Sequence, residues 1–258
     1  MRILITNDDG ITAPGLAVAE AIAAEIAGPE AELWVVAPES ERSGVSHAIS
    51  YTTPLRSTEL GPRRHSVDGF PADCVLVGLR RLLAETPPDL VISGINRGHN
   101  LAEDVFYSGT VGGGMEAALA GAKAVALSQY YRLGAPDAPE DVWESAKALG
   151  AEAVRKCLAM PWPPGVFYNV NFPATKAAAA KGFTVCPHGI RAAATFDVTP
   201  ITAPNGREYQ FLRHTTANAS APAGTDAALC AEGWVTITPL RLSLTAEDLL
   251  ERARAALD

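Results

Sequence analysis

Cysteine, histidine and net positive charge are all scarce in this sequence. Only 4 Cys and 5 His occur in 258 residues, so a zinc site built from those ligand types is not expected. Cys74, Cys157, Cys186 and Cys230 form no Cys-x-x-Cys pair and are too sparse for a disulfide scaffold. They read as small apolar core residues in a reducing compartment. Lys and Arg number 21 against 29 Asp and Glu, a formal net charge of −8. That balance argues against nucleic-acid polymers and anionic membranes as partners, and leaves small anionic substrates open, because a local site can oppose the global charge. No apolar run approaches the roughly 18–20 residues that span a bilayer, and the N-terminal apolar stretch turns polar at Asn7-Asp8-Asp9. Neither a membrane span nor a signal peptide is expected, and a cytoplasmic protein is. The GxxxxGK[ST], GxSxG and HExxH motifs are missing as well. His47, His65, His99, His188 and His214 are scattered along the chain.

What the sequence does have is core material: 48% of residues are hydrophobic and 19% charged, enough for one large domain. Residues 2–6 and 33–37 read as buried strands, separated by a helix over 14–26 with Pro14 in its first turn. A helix over 72–84, a strand over 89–93, a Gly-rich loop over 94–110, a helix over 114–121 and a strand over 124–128 follow. Strands that are apolar on both faces and alternate with helices indicate a parallel α/β sheet covered on both sides. Further on, the pattern predicts helices over 139–160 and 225–231, strands over 166–171 and 234–238, and a terminal helix over 245–257 with Thr245 as N-cap. Residues 186–224, rich in Pro, Gly and polar side chains, read as an irregular or β-ribbon excursion. The expectation is a single domain over 1–258, with a core to about 185 and a smaller ribbon and helix extension over 186–258.

In an open parallel sheet, ligands bind beyond the carboxyl ends of the strands. Three polar segments fall there: Asn7-Asp8-Asp9-Gly10, Glu41-Arg42-Ser43-Gly44, and Ser93 to Asn100. Within a strand Asp8 and Asp9 would face opposite ways, but at a strand end freed by Gly10 both carboxylates can turn to one side. So close a pair is costly without a cation; the alternative is a turn in which one Asp bonds backbone N–H groups. Ser43 and Asn96 would add neutral oxygens, or serve as ordinary loop hydrogen-bonders. Together the four make an all-oxygen set suited to Mg²⁺ or Mn²⁺ rather than Zn²⁺. Tyr107 to Gly114 offers hydroxyls and unobstructed N–H groups ahead of a helix, as phosphate cradles do, or else small residues needed for packing.

These segments closely resemble the SurE family, the survival-protein nucleotidases. The resemblance runs through Met1 to Gly10 and on to Ala13-Pro14-Gly15, Val36-Ala37-Pro38 with Ser43-Gly44, and Ser93-Gly94-Ile95-Asn96 with Gly98 and Asn100. It continues through Tyr107-Ser108-Gly109-Thr110-Val111, Asn169 to Pro173, Gly224-Thr225-Asp226 and Gly233 to Pro239. It implies a Rossmann-like fold and a phosphatase that hydrolyses nucleoside 5′-monophosphates, and 3′-monophosphates in some members, by metal-assisted attack of water. By that pattern Asp8, Asp9, Ser43 and Asn96 would hold one divalent cation per subunit, Mg²⁺ or Mn²⁺. Asp8 or Asp9 would orient or deprotonate the water, and Asn100, Ser108, Gly109 and Thr110 would face the phosphate. A homodimer or homotetramer is implied, with the 186–224 segment and the terminal helix crossing between subunits. Gly69-Phe70-Pro71 departs from the family's usual Gly-Thr-Pro, and Gly112-Gly113-Gly114 from its usual mix of small residues. No general acid is assigned; His99 lies in the right loop, at a position the family leaves variable. The alternatives are a broad acid phosphatase or exopolyphosphatase, and a nucleotide-binding stress protein without turnover.

Overall fold

A computed structural model of the chain describes residues 1–132, 139–191, 196–214 and 221–257. The first half builds β1 (Arg2–Thr6), α1 (Pro14–Ala27), β2 (Glu32–Pro38), β3 (Ser57–Gly61), β4 (Arg64–Val67), α2 (Pro71–Val77), β5 (Leu90–Arg97), α3 (Gly109–Leu119) and β6 (Ala124–Gln129). The second half adds α4 (Glu144–Leu158), β7 (Val166–Phe172), β8 (Phe183–Val185), β9 (Phe196–Thr202), β10 (Glu208–His214), α5 (Asp226–Ala231), β11 (Val235–Arg241) and α6 (Leu250–Ala255).

Nine strands form one sheet in the order β3-β4-β2-β1-β5-β6-β7-β11-β8. The run from β4 to β7 is parallel throughout, while β3 on β4 and β11 on β7 are antiparallel. Side chains along each strand alternate between two cores. Ile3, Ile5, Val35, Ile92, Leu127 and Val170 pack under α1 and α4 with Leu16, Ile22 and Val154. Leu4, Val36, Val91, Ala126 and Phe167 pack under α2 and α3 with Val75 and Val111. Each fully buried aliphatic or aromatic side chain contributes about 1.5–3 kcal/mol, so the sheet is a rigid platform for whatever its loops carry. From β1 the chain builds outward one way through β2 and β4, and from β5 the other way. The seam between β1 and β5 is therefore the topological switch point, where an open α/β sheet forms its binding crevice.

The α/β class, the parallel core and the helices on both faces agree with expectation, and the ribbon within 186–224 appears as β9 paired with β10. Residues 192–195 and 215–220 of that segment, and 133–138, lie outside the described residues. Several boundaries are corrected. α3 begins at Gly109 rather than 114, because Ser108 caps it by accepting a hydrogen bond from the Val111 N–H at 3.0 Å. The 72–84 helix is α2 followed by a π-helical turn over Gly78–Leu82, and α4 starts at Glu144. The terminal helix is not capped at Thr245. A 3₁₀ turn over Glu247–Leu249 precedes the six-residue α6, and neither has a buried residue; helices this short are marginal without a packed face. β11, within the 186–258 segment, joins the main sheet between β7 and β8, while β9 and β10 form a separate two-stranded ribbon.

Candidate functional site

The turn after β1 is shaped by Asn7. Its amide donates to the Gly10 carbonyl at 2.9 Å and its carbonyl accepts from the Gly10 N–H at 3.2 Å. Gly10 takes φ +102°, with the Ser40 backbone 3.2 Å from where a Cβ would stand, a conformation and a closeness that suit only glycine. The Arg42 N–H donates to the Asp8 carbonyl at 2.7 Å, tying the loop after β2 to the same turn.

Asp8 is 3% exposed. Its carboxylate accepts from the Thr110 hydroxyl at 2.5 Å and the Thr110 N–H at 3.1 Å. Among the described residues no Lys or Arg hydrogen-bonds to it. Burial, opposed by the Thr110 bonds and reinforced by the neighbouring Asp9 charge, pushes its pKa up to about 7. Asp9 is half-buried and accepts from the Arg97 N–H at 3.1 Å. Burial raises its pKa too, with the Glu41 charge adding to the rise and the Arg97 contact opposing it. Two adjacent carboxylates, both disfavoured as anions, make a site short of positive charge.

Ser43 and Asn96 each spend a donor within their own loop. The Ser43 hydroxyl donates to Glu41 at 2.9 Å and the Asn96 amide donates to the Gly98 carbonyl at 3.0 Å. Each keeps a side-chain oxygen that can still accept or coordinate. Asp8, Ser43 and Asn96 line one cleft of about 390 Å³, with Asn100, Ser108, His99, Asp104, Tyr107 and Phe196. Asp9 and Ser43 line an adjoining cleft of about 600 Å³ with Arg97, Tyr131 and Trp143. The four oxygen-bearing residues thus meet where β1, β2 and β5 end, around Ser43 and Arg97, which border both clefts. Among the described residues no group of three His, Cys, Asp or Glu is arranged for a metal. The donor set is two carboxylates, a hydroxyl and a carboxamide, which fits a hard, oxygen-seeking divalent cation.

The expected phosphate contacts divide. Asn100 and Ser108 line the cleft. Thr110 is fully buried and spends both its hydroxyl and its N–H on Asp8, so it orients the carboxylate and does not face a ligand. Gly109 sits where a Cβ would come 3.0 Å from the Asp8 Cβ. As the first residue of α3 it has no helical acceptor, and among the described residues nothing takes its N–H. Gly112, Gly113 and Gly114 serve packing instead of a cradle: Cβ atoms there would stand 2.4 Å from the Ser46 carbonyl, 2.7 Å from the Ser93 hydroxyl and 3.1 Å from the Phe167 ring. Gly112→Ala should therefore displace the loop that carries Ser43, although alanine is the better helix former by about 1 kcal/mol. The expected result is a stability loss of about 1–3 kcal/mol with reduced kcat. Thermal melts and phosphate-release assays check it, and an unchanged variant would contradict the packing role.

Sequence reasoning missed the frame that holds Asn100. Its N–H donates to the Asn171 carbonyl oxygen at 2.8 Å and its amide to the Ser128 hydroxyl at 2.7 Å, while the Asn169 amide donates to its backbone carbonyl at 2.7 Å. The signal was available: Asn169 and Asn171 share one face of an otherwise apolar β7. Asp226, fully buried, accepts from the Ala102 N–H at 3.0 Å and the Gly189 N–H at 2.9 Å, joining the C-terminal part of the chain to the rim of the cleft. The four cysteines are free and buried. Burial raises every thiol pKa, that of Cys157 to about 12, so none is a poised nucleophile.

Comparison with known proteins follows the same lines. The family described as Survival protein SurE matches residues 3–195. A protein of Cereibacter sphaeroides called 5′-nucleotidase SurE is 52% identical over 99% of both chains. One of the same name from Jannaschia sp. (strain CCS1) is 47% identical over the whole of both. The crystal structure of the SurE protein from Aquifex aeolicus superposes with a TM-score of 0.81 at 33% identity, covering all of both chains. With the switch-point crevice, the paired aspartates and a match that spans the sheet, this chain belongs to the SurE family.

Proposed function

We propose that the chain is a divalent-cation-dependent 5′-nucleotidase that hydrolyses nucleoside 5′-monophosphates to nucleoside and inorganic phosphate. The observation that carries this is the buried Asp8, without a cationic partner among the described residues, beside Asp9 at the end of β1. The name carried by relatives at about half identity over the full length supplies the substrate class.

Asp8, Asp9, Ser43 and Asn96 would hold the cation, Mg²⁺ or Mn²⁺. When bound it supplies charge neutralisation at the phosphoryl oxygens and acidifies a water molecule. The rest falls to the chain. Thr110 fixes the Asp8 carboxylate, and Asp9, half-exposed and held through one oxygen by the Arg97 N–H, is the carboxylate free to accept the water's proton. The Gly109 N–H, at the positive end of an 11-residue helix, and the cleft-lining Asn100 and Ser108 would hold phosphate oxygens.

A panel of phosphomonoesters ranked by kcat/KM tests the substrate. Nucleoside 5′-monophosphates should lead, and a panel led by sugar phosphates or polyphosphate would contradict the proposal. A cytoplasmic setting suits four free thiols, and among the described residues no helix is long and apolar enough to cross a membrane. A homo-oligomer suits the exposed Val198, Phe211 and Leu212 of the ribbon and Leu244 and Leu257 of the tail.

A further inference from the structure

A site that holds the reacting phosphate must also seat the rest of the nucleotide, and the two adjoining clefts offer different walls for it. Asn100 and Ser108, the proposed phosphate contacts, line the smaller cleft and not the larger. Asp9, the proposed acceptor of the water's proton, lines the larger and not the smaller. Water activated at Asp9 therefore approaches phosphorus from the side of the larger cleft. In phosphoryl transfer the attacking and leaving oxygens lie roughly in line, so the nucleoside points the opposite way, along the smaller cleft. That cleft measures about 390 Å³, inside the roughly 300–1,000 Å³ range of small-molecule sites. Part of its wall is aromatic: Tyr107, directly before Ser108, and Phe196, the first residue of β9.

The Tyr107 and Phe196 rings meet with centroids 5.1 Å apart and planes at 82°, so together they form a corner. Phe196 covers at most one face of Tyr107, which is 46% exposed. The Tyr107 backbone is fixed, its N–H donating to the Asp104 carbonyl at 3.0 Å and its carbonyl accepting from the Ser46 N–H at 2.8 Å. The aromatic side chains of the larger cleft are already engaged. The Arg97 guanidinium lies 5.5 Å from the Tyr131 centroid, and Trp143 is 8% exposed, with its ring against Gly15. Building on the nucleotidase proposal, we infer that the smaller cleft is the nucleoside subsite, with the base stacked in the corner made by Tyr107 and Phe196. Every base has a π-face, so stacking of this kind accepts purines and pyrimidines alike. The ribbon of β9 and β10, which stands apart from the main sheet, thereby gains a part in substrate selection, because it brings Phe196 to the cleft.

Ribose 5-phosphate isolates the base in the test, since it keeps the primary phosphomonoester and lacks the ring that stacks. Tyr107→Ala should lower the ratio of kcat/KM for AMP to that for ribose 5-phosphate about 5- to 100-fold, chiefly through a higher KM for AMP. Phe196→Ala, on the ribbon, should move the ratio in the same direction without disturbing the main sheet. Tyr107→Phe, which keeps the ring, should preserve the ratio, and Tyr131→Ala, in the larger cleft, should leave it unchanged. If the wild-type protein prefers AMP and neither alanine variant in the corner moves the ratio, the inference is overturned while the nucleotidase proposal stands. A fall in the ratio for Tyr131→Ala alone has the same meaning, since it would put the base in the larger cleft. If the wild-type protein turns over ribose 5-phosphate better than AMP, the nucleotidase proposal fails and the inference falls with it.

Discussion

Asp8→Asn is expected to yield a folded protein that releases phosphate from AMP at least about 10³-fold more slowly than wild type, whichever divalent cation is added. The fold should survive because the replacement is isosteric and its bonds can be kept. The new side-chain carbonyl can accept from the Thr110 N–H, and the new amide can donate to the Thr110 hydroxyl, the two groups that Asp8 engages now. What is lost is charge. A neutral carboxamide at a 3% exposed position cannot complete the aspartate pair, and a site with one carboxylate holds a hard cation poorly. The variant should also show no rise in melting temperature when Mn²⁺ or Mg²⁺ is added. Turnover close to wild type would remove Asp8 from the reaction.

The second large effect concerns pH. The Asp8 pKa is about 7 in the folded, cation-free chain, against about 3.8 for an unperturbed Asp. The folded state therefore binds the more tightly held proton. Its contribution to stability is complete below the unfolded value and is lost as pH rises through the folded one. Between about pH 4 and 7 the cation-free protein should lose up to about 1.4 kcal/mol per pH unit from this group. Asp9, raised by burial, acts in the same direction. A divalent cation reverses the preference, since it binds the ionised pair and displaces the proton. The melting-temperature increase produced by saturating Mn²⁺ should thus be several degrees larger at pH 8 than at pH 5, while Asp8→Asn should abolish the difference. Equal increases at both pH values in the wild-type protein would contradict the placement of the cation at Asp8.

Strand and helix periodicity made the first half of the fold legible. β1, α1 and β2 follow directly from the apolar pattern of residues 2–37, and their polar endings marked Asp8, Asp9 and Ser43. Asn96 was legible for the same reason, as a polar residue closing an apolar strand. The start of α3 was not. Gly109 and the triple glycine at 112–114 have low helix propensity; at 112–114 the Ser46 carbonyl, Ser93 and Phe167 leave no room for a side chain, so glycine is required there by tertiary packing that no local window contains. The same limit hid the contacts behind the cleft. Arg191 and Asp104 are 87 residues apart and Asp226 and Ala102 are 124 apart, so each ion pair or cap looks, in sequence, like an unremarked surface charge. The strand at β11 could be read from its alternation, but its insertion between β7 and β8 depends on pairing that periodicity does not encode.

The proposed function stands on the oxygens of Asp8, Asp9, Ser43 and Asn96 holding a divalent cation on which phosphomonoester cleavage depends. Release of inorganic phosphate from AMP by protein stripped with EDTA, measured before and after return of Mn²⁺ or Mg²⁺, is the decisive measurement. Release at background level in the stripped protein and recovery with at least one of the two cations is the expected result. Undiminished release after stripping, or none with either cation, would contradict it.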